Sequence, residues 1–294
     1  MELGYSISTL HGFDVTPAEA AAETVRRAEL ASDAGFDYIQ TGDHHVERNG
    51  HYLQNVPTVS RLSAYYDHAA TLFLLPLYDP ILVAEQAGTV ASFVDRFDLW
   101  CSIGRRQHEF DAFDVDKRER VPRLIESVEA IRAIWNGEGV SYDGEFYSFE
   151  DVDSSPKAPD ARICIGGGVE AAVRRAGRIG DAWVAHPRES NDDVVEKSAW
   201  FEEAGGGDLI VRRDALVLED GNKAHELVDD AFSGGYRGWA EEEKEVILTG
   251  DSEEVAAELE ALTELGVDEV VVRPMFDEFA DETLQNVASA HEQL

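Results

Sequence analysis

The chain has 294 residues, 44% of them hydrophobic, and carries 60 Asp and Glu against 25 Lys and Arg for a formal charge of −35. The apolar share supports a large buried core, and the length suits one or two ordinary domains of ~100–200 residues or one α/β barrel of ~250. So negative a surface repels phosphate backbones and anionic lipid, which excludes nucleic-acid and membrane-surface roles, and no apolar run approaches the ~18–20 residues of a membrane span.

The opening MELGYSIST has neither a basic region nor a cleavable apolar stretch, which predicts no secretory leader and a cytoplasmic protein. Cys101 and Cys164 lie in apolar runs and read as reduced core residues. Five lysines stand against 20 arginines. An acidic, lysine-poor surface predicts a halophilic protein whose self-repulsion is screened by salt. The competing reading, an acidic patch for a basic partner, fits less well because acids occur in nearly every predicted helix.

In chain order, residues 3–9 read as strand one. Thr16-Pro17-Ala18-Glu19 is a capping box with proline at the first helical position, and its helix runs to Ala34 before Gly35. Strand two is 37–41, followed by a short helix at 56–64. Strand three is 69–75, and a helix opens at Asp79-Pro80 and runs to about Val94. Strand four is 96–103, and 118–136 is an amphipathic helix with Leu124, Val128, Ile131 and Trp135 on one face. Residues 137–160 break the rhythm as a turn-rich excursion with a small hairpin. The alternation resumes with strand five (162–165), Gly166-Gly167-Gly168 and a helix to Arg178, then strand six (181–185) and a helix at 191–204. Strand seven is 208–218, residues 222–265 read as helices with a joint at Ser233-Gly234-Gly235, strand eight is 268–273, and a helix at 281–293 follows. Within that long helical stretch Asp251 caps a helix with Glu254 at its third position, and Gly266 stops it.

Eight apolar strands, each followed by helical sequence, predict a parallel sheet buried on both faces and closed as a (β/α)₈ TIM barrel, one domain over 1–294. The alternative, an open doubly wound sheet, lacks its glycine-rich fingerprint after strand one. In a barrel the chemistry lies just beyond the C-terminal ends of the strands. After strand two stand Asp43, His44 and His45, a titratable group near neutral pH with a carboxylate to orient it. A shared metal is the rival, but neighbours on an extended chain point to opposite faces, and no metal is expected. Leu74 and Leu75 after strand three suit a flat aromatic ligand or ordinary core. Arg105 and Arg106 after strand four suit an anionic group or a salt bridge to neighbouring acids. Gly166, Gly167 and Gly168 open a helix whose N-terminus attracts anions. Arg188 and Arg273 add balancing charge there or form ion pairs at the surface or barrel bottom.

These motifs together resemble the bacterial luciferase-like oxidoreductases. The segments that carry the resemblance are AGFDYIQTGDHH (34–45), LLPLYDPILVAEQAGTV (74–90), residues 109–152, ICIGGGVEAAVRRAGRIGDAW (163–183) and LGVDEVVVRP (265–274). The resemblance implies a cofactor, the deazaflavin F420 or FMN, with its ring across the C-terminal mouth. It implies support for that ring by a bulge near Leu74-Leu75, often with a non-prolyl cis peptide. It maps acid/base or orienting roles onto Asp43 and His44, cofactor contacts onto Gly166 and Gly167, and a phosphate contact onto Arg120. The implied partners are a small-molecule substrate, a separate reductase where reduced flavin is used, and a second copy in a homodimer. The chain departs from the family pattern at Asp181-Ala182-Trp183, at Phe93-Val94-Asp95-Arg96 and at Ser102-Ile103-Gly104-Arg105. Two mechanisms stand side by side: F420-dependent hydride transfer, and monooxygenation with reduced FMN and oxygen. A flavin-binding barrel without turnover is the alternative of another class.

Overall fold

The computed structural model describes residues 1–294. Eight parallel strands form its centre: β1 (Glu2–Ile7), β2 (Tyr38–Thr41), β3 (His68–Leu74), β4 (Arg96–Ser102), β5 (Arg162–Gly166), β6 (Ala182–Ala185), β7 (Asp208–Val217) and β8 (Glu269–Pro274). Each pairs in parallel with the next, and β8 pairs with β1, so the sheet closes as a TIM barrel. The helices surround it: α1 (Pro17–Ala34), α2 (Asn55–Leu62), α3 (Pro80–Ala91), α4 (Gln107–Ala112), α5 (Arg120–Asn136), α6 (Glu170–Ile179), α7 (Asn191–Ala204), α8 (Gly221–Ser233), α9 (Ser252–Glu264) and α10 (Ala280–His291).

Helix boundaries follow the caps written in the sequence. Thr16 Oγ1 accepts from the Glu19 amide while Glu19 reaches back to the Thr16 amide, and Gly35 ends α1 at φ 108°. Asp251 and Glu254 repeat the box at α9, and Gly266 follows that helix at φ 80°. Between β4 and β5, Val140–Asp143 pairs antiparallel with Ser148–Val152. The stretch 222–265 differs from expectation. After α8 come two 3₁₀ turns, Tyr236–Gly238 and Glu241–Val246, and then a short strand, Leu248–Gly250. That strand exists because β7 is ten residues long and outruns β6, leaving the edge from Ala215 to Val217 for Leu248–Gly250 to pair with.

Most buried apolar residues fall into two layers, with two smaller clusters beside them. The outer one, of 50 buried residues, lies between sheet and helices. The inner one fills the barrel with Tyr38, Ala70, Trp100, Cys164, Ala182, Val184, Ile210 and Val271. Gly4 belongs to this plug by subtraction: a Cβ there would sit 2.4 Å from the Tyr38 ring. Both cysteines are buried and unpaired. The plug separates two polar ends of the barrel, and barrel enzymes carry their sites at the mouth formed by the strands' C-terminal ends.

Candidate active site at the barrel mouth

Alternation along the chain decides what the residues after β2 do. Asp43 and His45 share one face, and His44 takes the other. The fully buried Asp43 carboxylate accepts from the Leu74 amide (2.8 Å) and the Tyr78 hydroxyl (3.0 Å) and lies 3.3 Å from His45 Nε2. It therefore pins the end of β3 and holds His45, rather than orienting His44. The carboxylate that reaches His44 is Glu109, on α4. Its Oε1 lies 3.2 Å from His44 Nδ1 and accepts from the His45 amide at 3.1 Å. Glu109 is fully buried, and its Oε2 has no partner. With Nδ1–H donating to this carboxylate oxygen, the lone pair is left on Nε2. The His44 side chain is 34% exposed and packs edge-on against Tyr52. Burial and the nearby Arg106 lower its pKa, with Glu109 pulling the other way. A neutral, accessible imidazole of fixed tautomer is the form of a general base.

The other residues singled out in the sequence are spread around the rim. Leu74 is buried against Leu77 and Phe110. Leu75 is fully enclosed in the outer core, so its side chain faces the helices and not the mouth. No cis peptide occurs there; Ser155–Pro156 is the cis bond of the chain. A 3₁₀ turn, Leu75–Leu77, held at its start by Asp43, carries the chain out of β3 instead. Arg105 is exposed, its carbonyl accepting from Lys117 Nζ at 2.5 Å, while Arg120 donates to the Gly104 carbonyl at 3.1 Å and braces the same loop.

Gly166 ends β5 with only the Cys101 carbonyl near its missing Cβ, at 3.8 Å. The Gly167 backbone is committed on both sides, its amide to Val184 O (3.3 Å) and its carbonyl to the Trp183 indole (2.8 Å). Gly168 lies against the buried Glu189 carboxylate, and the first turn of α6, which no side chain caps at Val169, remains. Arg188 is exposed beside Glu243 (3.3 Å). His186, itself exposed, shares its neighbourhood, and partial desolvation, with the arginines at 188, 212 and 105 adding to it, lowers its pKa.

Sequence reading singled out Arg273 but missed the group to which it belongs. On β7, Arg212 and Asp214 follow Ile210 of the plug on the inward face, and on β8 Arg273 follows Val271. Arg237 and Tyr236 reach the same place from the 3₁₀ turn after α8. The signal was present as the charged triplet Arg212-Arg213-Asp214 inside an otherwise apolar strand. Two cavities of ≈ 410 and ≈ 470 Å³ lie elsewhere, outside the barrel, sharing Glu245 and Glu258.

A closed parallel barrel with an imidazole and converging arginines at its mouth defines a TIM-barrel enzyme site. The family model of luciferase-like monooxygenases matches residues 1–269, and the chain belongs to that family. The F420-dependent hydroxymycolic acid dehydrogenase of Mycobacterium tuberculosis is 30% identical over 182 residues, covering 57% of this chain and 50% of the relative. The chain thus spans about half the length of that relative. A monooxygenase from Streptomyces bottropensis superposes with a TM-score of 0.83 at 21% identity, covering 100% of this chain and 99% of the other. The oxygenating constituent of 3,6-diketocamphane monooxygenase from Pseudomonas putida, solved with FMN, gives 0.79 at 16% identity, covering 99% and 97%.

The residues at the rim fit an anionic flavin or deazaflavin. The first turn of α6 is uncapped, Gly166 leaves open space beside it, and Arg105 and Arg188 flank the mouth.

Proposed function

We propose that the protein is an F420-dependent oxidoreductase that exchanges hydride with a small organic substrate, with His44 as the acid/base. The observation that carries this reading is the accessible His44 Nε2, whose tautomer is fixed from behind by the buried Glu109. When bound, the cofactor would accept the hydride at its ring in substrate oxidation and give it back in reduction. His44 takes or returns the coupled proton at Nε2. Glu109 holds the imidazole in place and stabilises it while it is charged. Arg105, Arg188 and the start of α6 bind the cofactor's anionic tail. The relative with the F420-dependent name supports the deazaflavin. An FMN-dependent monooxygenase is the second reading, favoured by the family description and by the fold neighbours.

Fluorescence titration with F420 and with FMN, each oxidised and reduced, in high salt, tests the choice. Tight binding of F420 alone supports hydride transfer. Tight binding of reduced FMN supports monooxygenation, and binding of neither removes the redox reading.

A further inference from the structure

We propose that the substrate carries an oxyanion, a phosphate, sulfonate or carboxylate, and that Arg212, Arg237 and Arg273 hold it in the barrel mouth. This rests on the reading of the mouth as a redox site and adds the class of molecule that enters it.

Three guanidinium groups surround one buried carboxylate. Arg273 Nη2 lies 2.5 Å, Arg237 Nη1 3.1 Å and Arg212 Nη2 3.8 Å from Asp214, which is fully buried. Tyr236 completes the cluster, donating to Asp214 at 2.8 Å and accepting from Arg273 at 2.9 Å. The charges do not cancel: three cations face one anion. The donors are not used up either, for the Nε groups of Arg212 and Arg273 are buried without a partner. Burial, with Arg273 and Arg237 beside it, pushes the Arg212 guanidinium down to about 10.

A surplus of partly buried cations is costly, and this chain has 60 carboxylates from which a partner could have come. Instead the excess positive charge faces the opening. Guanidinium forks match the paired oxygens of phosphate, sulfonate and carboxylate, and such hydrogen bonds are charge-assisted. Asp214 and Tyr236 hold the guanidinium groups in position, so an entering anion meets a preformed site.

The position favours substrate over cofactor as the source of the anion. Arg105 and Arg188 are exposed on the rim after β4 and β6, and Arg212 reaches the same histidine, His186, from the barrel side. Arg212 and Arg273 lie inside the barrel, directly above the apolar plug. His44 and Glu109 occupy another arc, after β2 and β4, so a substrate held by the arginines spans toward the acid/base.

Calorimetric titration of the full-length protein with inorganic phosphate, at constant KCl and without cofactor, tests the site. The wild type binds, and Arg212→Gln and Arg237→Gln each weaken binding about tenfold. Arg237 is 40% exposed on a turn outside the barrel, so its variant tests the site should Arg212→Gln fail to fold. The titration is then repeated with saturating F420, FMN or riboflavin, a flavin without phosphate. Phosphate binding that persists beside each supports a substrate anion. Absent binding, or variants that bind like wild type, overturn the proposal. So does displacement of phosphate by FMN but not by riboflavin, which would assign the arginines to the cofactor. Cofactor binding is read separately by fluorescence, so failure of the redox reading and failure of the anion site give different results.

Discussion

The two ends of the barrel are both rich in charge and use it in opposite ways. At the N-terminal end the first residues of the strands form a closed network. Arg96 pairs with Glu2 (2.8 Å) and Glu269 (2.7 Å), and Arg162 pairs with Asp98, Asp208 and Glu269. His68 adds a bond to Asp98 at 3.0 Å and stacks on Tyr38. Two arginines and a histidine thus meet four carboxylates. At the C-terminal end three arginines meet one carboxylate, with buried donors left over. Charges at the base are matched one to another, while at the mouth positive charge exceeds negative, and the proposed anion site rests on that surplus.

Breaking each end should therefore have different consequences. His44→Ala is expected to lower turnover by about 10²–10⁴-fold while leaving the unfolding midpoint unchanged. Steady-state rates with whichever of F420 and FMN the titration selects, beside a denaturation curve, check both halves. Asp98→Asn should do the reverse. It removes a fully buried partner of Arg162 and His68 and costs about 3–5 kcal/mol of stability by urea unfolding, with cofactor affinity retained. Equal loss of activity and stability in either variant would erase the distinction between the ends.

Glu109→Gln is a milder test of the mouth. Turnover should fall about tenfold as the imidazole loses its fixed tautomer. Because the Glu109 charge raises the His44 pKa, its removal should also move the acidic limb of the rate profile to lower pH. A purely structural Glu109 would not move that limb.

The pH dependences also separate. Burial would raise the Asp98 pKa, but its bonds to Arg162 and His68 win and hold it below the usual aspartate value. A depressed carboxylate contributes stability at pH above its unfolded value, and that stability is lost as pH falls through the folded value. His44 is also depressed, so its neutral base form persists below the ordinary histidine value of 6.5. On lowering the pH, activity should hold past 6.5 and fail before the fold does, as parallel rate and circular-dichroism profiles would register. The smallest effect expected is that of salt on the base. The unfolding midpoint of the whole chain should rise toward molar KCl because its −35 charge repels itself, while the cost of Asp98→Asn should change little since buried pairs are poorly screened.

Much of this architecture was legible in the sequence because it is written in local chemistry. The alternation of apolar runs and capped helices predicted eight strands, their order and the closed barrel, and the caps at Thr16 and Asp251 fixed helix starts to the residue. The motif after β2 pointed to a loop that the structure places at the barrel mouth. The pairing within that loop was not legible. The acidic residue that reaches His44 comes from α4, 65 residues away, and not from the adjacent Asp43. Strand Leu248–Gly250 was missed because its partner edge exists only once β7 outruns β6.

By itself the sequence determined the fold class, the acidic surface and the family resemblance, since periodicity, capping and composition act over a few residues at a time. Only the tertiary structure decided which charges are spent and which are free. Arg96, Arg162, Arg212 and Arg273 are alike as strand residues. Closure of the barrel carries the first two to a ring of carboxylates and the last two to a single Asp214, and the balance of charge around a buried guanidinium is set by neighbours remote in sequence.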